Sequence, residues 1–336
     1  SEPINYAVRG AAADLSRFAD CEETLTRFWP ESLVPYRYAD HLYALPETVT
    51  FPMLFLRADI FARLGLSVPQ TWDEVYDTIA RLSAEQYLFA VGTDVTTYYM
   101  LLMQNGGSLY TDDLRDTALD NELAINTFTQ WTAFFTDHSL PVDLSFINRF
   151  RTGEVAAGIA DLTTANQLNV FAPEIRGMWE MLPVPGTVRK DGTIDRTVVC
   201  SGTADMLMEQ SDRKEDGWRF LKWWSDASTQ SAYARLIEEK LGISARYPTA
   251  NSEAFASLGW SAAEKRTLAE QRAFVRGIPE VPGSYIVSRY LTFTFRDVVN
   301  DAADAGEELL RYDKLIGAEL ARKREEFSDA LAHMER

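Results

Sequence analysis

Residues 41–82 constrain the fold of this chain more than any other stretch of its sequence. Leu42–Leu45 is a short apolar run that ends at Pro46, and proline cannot donate a hydrogen bond to a sheet ladder. Phe51–Leu56 is a second and more strongly apolar run, which is typical of a strand buried on both faces. The stretch therefore begins with two predicted strands.

A helix and then a capped helix follow these strands. The pattern predicts a helix over Ala58–Leu64, followed by Gly65, a residue that readily adopts the left-handed conformation at a helix end. Thr71 begins the next helix with Glu74 three residues on, a spacing at which each side chain can accept from the other residue's backbone N–H. Strands and helices in this order indicate an α/β fold.

The amino-acid sequence of this stretch resembles that of a known protein family. YALPETVTFPMLFLRADIFARLGL followed by VPQTWDEV is similar to the central segment of the extracellular solute-binding proteins (family 1) of ABC importers, the group that includes maltose-binding protein. Further segments resemble the same family in the family's order: PVPGTVRKDGTIDRTVVCSGTA, the FLKWW helix, ARYPTANSEAF, GIPEVPGSY and KREEF. The resemblance therefore covers nearly the whole chain. The alternative is an unrelated α/β enzyme with a capped helix after a strand.

The resemblance implies an α/β fold of two interleaved lobes joined by a hinge, the type II periplasmic-binding-protein-like fold. We expect lobe 1 to comprise residues 1–48 and 203–243, lobe 2 to comprise residues 52–197 and 249–336, and hinge crossings near 48–52, 197–203 and 243–249. It also implies that early strands of lobe 1 should precede this sequence. The N-terminal lobe is therefore expected to be incomplete, either because this sequence is the C-terminal part of a longer chain or because lobe 1 is unusually small.

The rest of the chain alternates predicted strands and helices. Strands are expected at Tyr87–Val91, Val155–Ala160 and Met178–Leu182, and helices at Val95–Met103, Glu122–Thr136, Ser145–Arg151 and Thr163–Phe171. This alternation indicates a largely parallel, layered lobe 2. A long closing helix is predicted from Ala303 to about Leu331, with one apolar stripe formed by Leu309, Ile316, Leu320 and Phe327.

Composition and charge exclude several classes of protein. The chain has 336 residues, enough for two domains, since single cores stop growing near ~250–300 residues. Its net charge of −17 argues against nucleic acid or an anionic membrane face as a partner, because both need clustered Lys and Arg. No apolar run approaches the ~18–20 residues of a membrane span, and the sequence shows no signal or anchor pattern. The resemblance implies an extracytoplasmic location.

Catalytic and metal-binding patterns are missing from the sequence. Its three histidines, His41, His138 and His333, lie far apart, and no HExxH, GxSxG, GxGxxG or phosphate loop occurs. Cys21 and Cys200 form no CxxC motif; we predict inert thiols and leave a disulfide between them open. These observations predict a protein that is not an enzyme and needs no cofactor or metal. A carboxylate pair of a glycosidase stays open, because such pairs are assembled in three dimensions.

Residues suited to binding a sugar occur in predicted loops at strand ends and at the crossings. Aromatic faces pack on sugar rings, and a few polar groups exchange hydrogen bonds with the hydroxyls. Loops at strand ends and crossings are also where cleft residues collect. The predicted ligand-binding residues are Glu47, Thr48, Tyr98, Asn105, Asp161, Trp179, Ser201, Gly202, Arg246, Tyr247 and Tyr285.

The predicted function is that of the substrate-binding receptor of an ABC importer. The resemblance implies that the protein captures a carbohydrate between its lobes and delivers it to a membrane permease. An oligosaccharide is expected in preference to a monosaccharide. We expect it to act as a monomer. The alternative is an oligopeptide receptor, in which Arg246 would form half of a clamp for the peptide termini. A more remote alternative is an extracellular glycoside hydrolase.

Overall fold

The computed structural model of the protein describes residues 3–335. Most of its regular structure is helical. In chain order the helices are α1 Pro3–Ala7, α2 Cys21–Leu25, α3 Pro30–Leu33, α4 Ala58–Leu64, α5 Trp72–Ala84, α6 Val95–Gln104, α7 Glu122–Thr136, α8 Phe146–Thr152, α9 Thr164–Phe171, α10 Lys214–Trp224, α11 Ala227–Leu241, α12 Ser252–Ser257, α13 Ala262–Arg272, α14 Ser284–Asp301, α15 Ala305–Glu326 and α16 Ser328–Met334. None of the helices in this range has the length and apolarity needed to cross a membrane.

The strands are short and form one main sheet with several two-stranded ladders. They are β1 Arg37–Tyr38, β2 His41–Leu42, β3 Leu45–Pro46, β4 Pro52–Arg57, β5 Leu88–Ala90, β6 Val155–Asp161, β7 Trp179–Leu182, β8 Thr187–Val188, β9 Ile194–Asp195, β10 Val198–Val199, β11 Ala204–Asp205 and β12 Val275–Arg276. The main sheet has the order β5-β6-β4-β7, and the ladders are β1-β2, β3-β11, β8-β9 and β10-β12.

The main sheet is mixed, so the prediction of a largely parallel lobe is wrong. Strand β4 is antiparallel to both β6 and β7, and only β5 and β6 run parallel. The pairing of Pro52 with Asp161 shows that β4 begins at the edge where β6 ends. Strand β4 enters the sheet directly from the first predicted crossing, whereas β6 and β7 run back towards it. One edge of the sheet therefore collects the start of β4 and the ends of its neighbours.

The stretch around β4 folds largely as its pattern predicts. Met53, Leu54 and Phe55 in β4 are completely buried, as expected for a strand covered on both faces. Helix α4 has the predicted bounds, and Gly65 closes it in the left-handed conformation at φ +60°. Pro46 is the last residue of β3, so it ends a strand as predicted, and it also pairs with Ala204 in the β3-β11 ladder.

The capping of α5 is formed by half of the predicted reciprocal pair. The Thr71 hydroxyl accepts a hydrogen bond from the Glu74 N–H at 3.3 Å, as the spacing predicts. The Glu74 carboxylate accepts instead from the N–H of Gln70, one residue earlier than expected, at 2.6 Å. The helix start is therefore capped on both sides of Thr71.

Two further predictions concern the C-terminal helices and the cysteines. The closing helix is interrupted at Phe327, between α15 and α16, although Leu309, Ile316 and Leu320 form the buried stripe that was expected. Cys21 and Cys200 are free and buried, which answers the open question of a disulfide. Burial raises the pKa of each thiol to about 11, so both stay protonated and unreactive at neutral pH.

Three chain segments lie side by side where the crossings were predicted. The Glu47 N–H donates to the Thr203 carbonyl at 2.8 Å, and the Val49 N–H donates to the Pro248 carbonyl at 2.8 Å. Thr50 and Ser201 exchange backbone hydrogen bonds of 2.8 and 2.9 Å. The first segment is therefore tied to both of the others.

Gly202 permits the close approach of two of these segments. A Cβ atom at this position would lie 1.9 Å from the carbonyl oxygen of Thr48, well inside van der Waals contact. Only a residue without a side chain fits between the two backbones. A glycine at position 202 is therefore required for the first and second segments to lie this close together.

A row of aromatic rings follows α10 and α11 to the third predicted crossing. We call it the aromatic strip, and its members are Phe220, Trp223, Trp224, Tyr233 and Tyr247. Successive ring centroids are 5.5, 6.2, 5.0 and 5.0 Å apart. Phe220 is 55% exposed and Trp223 is 56% exposed. The strip runs from the outer surface of α10 to the third crossing segment, where Tyr247 lies. The strands of predicted lobe 1 are only two residues long, so this lobe has no sheet comparable to the main one within residues 3–335.

Candidate functional site

A cavity lies at the edge of the main sheet where β4 begins and β6 ends. Its volume is about 230 Å³. The lining combines the loop before α6, the end of β6 and the second crossing segment, and its polar members are Asp94, Thr96, Thr97, Asp161 and Ser201. Two carboxylates and three hydroxyls thus face one space.

Asp94 is placed by the start of helix α6. Its side chain accepts a hydrogen bond from the Thr96 N–H at 3.0 Å and so caps the helix. The side chain of Asp94 is exposed, so the rest of its carboxylate is available to a ligand. The helix dipole also favours a negative charge at this end.

Asp161, the last residue of β6, is held by more hydrogen bonds than Asp94. Its carboxylate accepts from the Thr50 hydroxyl at 2.5 Å and from the Thr163 N–H and hydroxyl at 2.8 and 2.6 Å. Three donors fix the orientation of this side chain before any ligand arrives. It is therefore a preorganised acceptor at the junction of a strand and a crossing segment.

A second cavity of about 210 Å³ adjoins the first and shares Thr96, Val199 and Ser201 with it. Its lining is rich in tyrosine: Tyr36, Tyr99, Tyr110 and Tyr285. Burial holds the pKa values of Tyr36, Tyr99 and Tyr110 above their usual range, so these side chains stay neutral hydroxyls.

Polar groups at the second cavity hold one another in place. The Tyr99 hydroxyl lies 3.4 Å from the Ser288 hydroxyl, and the Ser284 hydroxyl donates to the Glu280 carboxylate. A third cavity of about 240 Å³ shares Tyr99 and Tyr110 with the second and has a largely apolar lining. The polar groups therefore concentrate near the crossings.

The chemistry available at this site is that of binding. Carboxylates and hydroxyls can exchange hydrogen bonds with a hydroxylated ligand, and tyrosine faces can pack on its C–H surfaces. Within residues 3–335 no group of His, Cys, Asp and Glu side chains is arranged to hold a metal ion. We refer to the first two cavities together as the cleft.

Four of the predicted ligand-binding residues line the cleft: Asp161, Ser201, Gly202 and Tyr285. Ser201 and Gly202 are exposed and belong to the second crossing segment. Tyr285 is half-buried near the start of α14, and the Arg289 guanidinium lies 6.0 Å from the centre of its ring. Asp161 carries the hydrogen bonds given above.

Three other predicted residues lie at the crossings without lining the cleft. The Thr203 hydroxyl donates to the Glu47 carboxylate at 2.9 Å and lies 2.7 Å from the Thr48 hydroxyl. Tyr247 packs edge-on against Tyr233. Burial, and then the negative charge of Glu47, hold the pKa of Tyr247 above its usual range. These side chains connect the crossing segments.

Tyr98 and Asn105 make their contacts inside predicted lobe 2 rather than at the cleft. Tyr98 is completely buried, and its hydroxyl donates to the Ala124 carbonyl at 3.1 Å. The Asn105 side-chain amide donates to Thr127 and Gln130 at 3.0 and 3.1 Å, at the opposite end of α6 from Asp94. Neither residue lines either of the first two cavities.

Trp179 and Arg246 also lie elsewhere. Trp179 pairs with Arg57, the last residue of β4, so it is about 16 Å along the strand from the cleft end at a rise of ~3.3 Å per residue. Arg246 is 5% exposed, and its guanidinium binds Glu238 at 2.9 Å and the Gly259 carbonyl at 3.0 Å. Both side chains stabilise packing, and Arg246 is not available as a clamp for a peptide.

Sequence reasoning missed Asp94, Thr96, Tyr36 and Tyr99, which all line the cleft. A signal for Asp94 was present, because an aspartate directly before an apolar helical run is a typical helix cap and follows a strand end here. The tyrosines gave no such signal, since aromatic residues are more often core than cleft.

Comparisons with known proteins agree with this architecture. A search of curated protein sequences found no significant match. Among solved structures, an ABC transporter solute-binding protein of Thermotoga lettingae bound with α-D-tagatose is similar with a TM-score of 0.75 and 19% identity, over 95% of this chain and 82% of that one. A substrate-binding protein of Listeria monocytogenes in complex with cycloalternan has a TM-score of 0.76 and 18% identity, again over 95% and 82%. Maltose-bound MalE3 of T. maritima has a TM-score of 0.74 and 18% identity, over 94% and 81%.

These likenesses confirm the predicted two-lobed, periplasmic-binding-protein-like α/β fold. The sequence family described as bacterial extracellular solute-binding protein matches residues 7–231, which is more than half of the chain. The chain therefore belongs to the bacterial extracellular solute-binding proteins of ABC transporters, a family of extracytoplasmic binding proteins rather than enzymes.

Proposed function

We propose that this protein captures a carbohydrate, an oligosaccharide in preference to a monosaccharide, in the cleft and delivers it to the membrane permease of an ABC importer. The proposal rests on one observation: a polar cavity and a tyrosine-lined cavity meet at the crossings. A cavity with fixed carboxylates and hydroxyls adjoins a cavity lined by tyrosines. Similar structures are described as bound to tagatose, cycloalternan and maltose, which supports the ligand class.

The polar groups of the cleft suit a ligand with many hydroxyls. Asp161 is oriented by three donors and can still accept at its remaining lone pairs, because a carboxylate has about four acceptor sites. Ser201 and Thr96 supply hydroxyls that both donate and accept. Two adjoining cavities favour a ligand of more than one sugar unit.

The same lining disfavours an oligopeptide. A peptide receptor needs a cation for the terminal carboxylate, and Arg246, the predicted candidate, is buried in an ion pair with Glu238. No lysine or arginine lines either cavity of the cleft within the described residues. A peptide would therefore leave its carboxylate unpaired near Asp94 and Asp161.

The proposed mechanism is hinge closure about the three crossings. Lobe 1 would comprise residues 1–48 and 203–243 and lobe 2 residues 52–197 and 249–336, as predicted, and the protein would act as a monomer. The hydrogen bonds among Glu47, Val49, Thr50 and the two neighbouring segments support this division. A ligand closes the hinge to the extent that it binds the closed state more tightly. An incomplete lobe 1 stays a prediction.

A thermal-shift panel of neutral oligosaccharides and short peptides tests the ligand class. A ligand at 100 times its Kd adds about 2.7 kcal/mol to the free energy of unfolding, which raises the melting temperature measurably. We expect shifts with one or more oligosaccharides, such as maltotriose, cellotriose or chitotriose, and none with peptides. Shifts with peptides alone would overturn the proposal.

A pair of matched variants tests whether the ligand binds in the cleft. Asp94 and Asp226 both cap a helix through a 3.0 Å hydrogen bond from the second residue on, but only Asp94 lines the cleft. Serine keeps the capping acceptor and removes the carboxylate. We expect Asp94→Ser to lose most of the thermal shift with the binding oligosaccharide, and Asp226→Ser to keep it. Equal shifts in both variants would place the ligand elsewhere.

A further inference from the structure

The third cavity, of about 240 Å³, continues the cleft beyond its tyrosines. It shares Tyr99, Leu109, Tyr110, Ile278 and Pro279 with the second cavity and, within residues 3–335, no residue with the first. The tyrosine-lined cavity therefore lies between the polar cavity and the third one. A ligand long enough to extend past the tyrosines enters the third cavity next.

The side chains that line the third cavity are mostly apolar. Leu102, Met103 and Leu114 line it and neither of the other two cavities, and no charged side chain lines it among the residues that the structure describes. The Ser108 hydroxyl already donates to the Tyr110 carbonyl at 2.8 Å. A sugar unit placed here would leave most of its hydroxyls without hydrogen-bond partners, which is unfavourable. The third cavity therefore suits an apolar group better than a further sugar unit.

Leu114 lines this cavity in a backbone conformation that leucine rarely adopts. Its φ angle is +57°, in the left-handed region where glycine and asparagine are favoured. The loop holds it there through a hydrogen bond of 2.9 Å from the Leu114 N–H to the Thr111 carbonyl. Strained residues of this kind cluster at ligand-binding segments, which supports a role for the apolar side chain of Leu114 in holding a ligand.

We infer that the ligand of the cleft is a sugar that carries an apolar substituent, an alkyl, acyl or aryl group, at one end. The sugar units occupy the first two cavities, and the substituent fills the third. This inference rests on the proposed function and narrows its ligand class. An engineered cavity of about 150 Å³ lined by apolar side chains stays dry and binds benzene, so the third cavity is large enough for a phenyl ring or a short alkyl chain.

The test compares sugars that differ only in the length of one apolar group. Isothermal titration calorimetry measures Kd for the hexyl and methyl glycosides of maltotriose, cellotriose and chitotriose, which carry the group at the reducing end. The hexanoyl and acetyl esters at O6 of the opposite terminal unit carry it at the other end. We expect the longer group to lower Kd about tenfold or more at one of the two ends, because about two buried methylene groups already give that gain. The heat capacity change of binding should become more negative for the same compound, since apolar surface is buried.

Variants connect the gain to the third cavity. Leu114→Asn places a polar amide in the lining with a residue that adopts the left-handed conformation readily, and Met103→Trp fills part of the space. We expect both variants to bind the compound with the short group as the original protein does and to lose most of the gain from the long group. Gln86→Asn is the matched control, because Gln86 is exposed, has a φ of +64° and lies outside the cavity linings. It should keep the full gain.

The outcomes separate this inference from the proposed function. If the sugars bind and the long and short groups give equal Kd values at both ends, the inference is wrong and the proposed function stands. A gain that persists in both Leu114→Asn and Met103→Trp would place the apolar group outside the third cavity and would also overturn the inference. Failure of every sugar, with or without an apolar group, would overturn both.

Discussion

Asp205 gives a quantitative test of the contact between the first two crossing segments. It lies in β11 and pairs with Leu45 of β3, directly beyond the second crossing. Burial, and then the negative charge of Glu47, raise the pKa of its carboxyl from 3.8 to about 6. The folded protein therefore holds this proton more tightly than the unfolded chain does.

The sign and the size of the effect follow from this difference. Below pH 4 Asp205 is protonated in both states and costs nothing. As the pH rises from about 4 to about 6 the unfolded chain releases the proton first, so the free energy of unfolding falls, and above pH 6 the loss is complete. One pKa unit corresponds to 1.36 kcal/mol, which gives about 3 kcal/mol at most. Solvent at the partly exposed side chain reduces this to about 1–2 kcal/mol.

The replacement Asp205→Asn removes the titration and keeps the shape. We expect the variant to exceed the original protein by about 1–2 kcal/mol in free energy of unfolding at pH 7.5 and to match it near pH 4. Urea denaturation followed by circular dichroism at steps between pH 4 and pH 8 measures this difference.

A variant of the neighbouring carboxylate controls this experiment. Glu47→Gln should move the fall in stability to lower pH, because Glu47 is one cause of the raised pKa of Asp205. A difference between Asp205→Asn and the original protein that is constant with pH, or a variant less stable at pH 7.5, would refute the reasoning.

The remaining predictions concern the crossings, a buried ion pair and the thiols. Gly202→Ala should lower the free energy of unfolding by about 1–3 kcal/mol in urea denaturation and weaken sugar binding, because its Cβ would lie 1.9 Å from the Thr48 carbonyl oxygen. Arg246→Ala should lower the free energy of unfolding by about 2 kcal/mol, which is less than the loss on breaking a fully buried ion pair. Its Kd for the sugar, measured by calorimetry, should be unchanged. Cys21 and Cys200 should react slowly with a thiol reagent at pH 8 in the folded protein and rapidly in urea, because both thiols are buried and their pKa values are raised to about 11.

Each of these outcomes has a control or a contrary result. Gly306→Ala meets its nearest heavy atom, in the Ile125 side chain, at 3.1 Å and should change neither stability nor binding much. A Gly202→Ala protein of unchanged stability would contradict the close approach. Loss of sugar binding in Arg246→Ala with stability kept would return that residue to the site. Rapid reaction of a thiol in the folded state would contradict its burial.

The sequence predicted local elements well because their signals are local. Helix α7 has its predicted bounds, and α4 ends at the expected glycine. The direction of β4 against its neighbours could not be predicted in the same way. The direction of β4 depends on how the chain enters the sheet from the first crossing, and the residue pattern within a strand does not indicate its direction.

The site was harder to predict because the choice of residues depends on which face an element turns to the cleft. Tyr98 and Tyr99 are neighbours in α6 and point about 100° apart around the helix axis. Tyr99 lines the cleft, whereas Tyr98 is buried against α7. Arg246 and Tyr247 pose the same problem, since Arg246 forms a buried ion pair whereas Tyr247 packs against Tyr233 within the aromatic strip. Asp161 and Ser201 were predicted because strand ends and crossings place residues at the cleft regardless of orientation.

The positions of the tryptophans decide what their fluorescence can report. Trp72, Trp131 and Trp218 are buried, Trp223 is 56% exposed, and none of the eight tryptophans lines either cavity of the cleft. A small quencher such as acrylamide therefore reaches Trp223 first, and a sugar that merely fills the cleft leaves the emission spectrum almost unchanged. Trp224, in contrast, is joined through Tyr233 to the third crossing segment. A change in its emission would thus signal movement of the crossings rather than occupancy of the cleft.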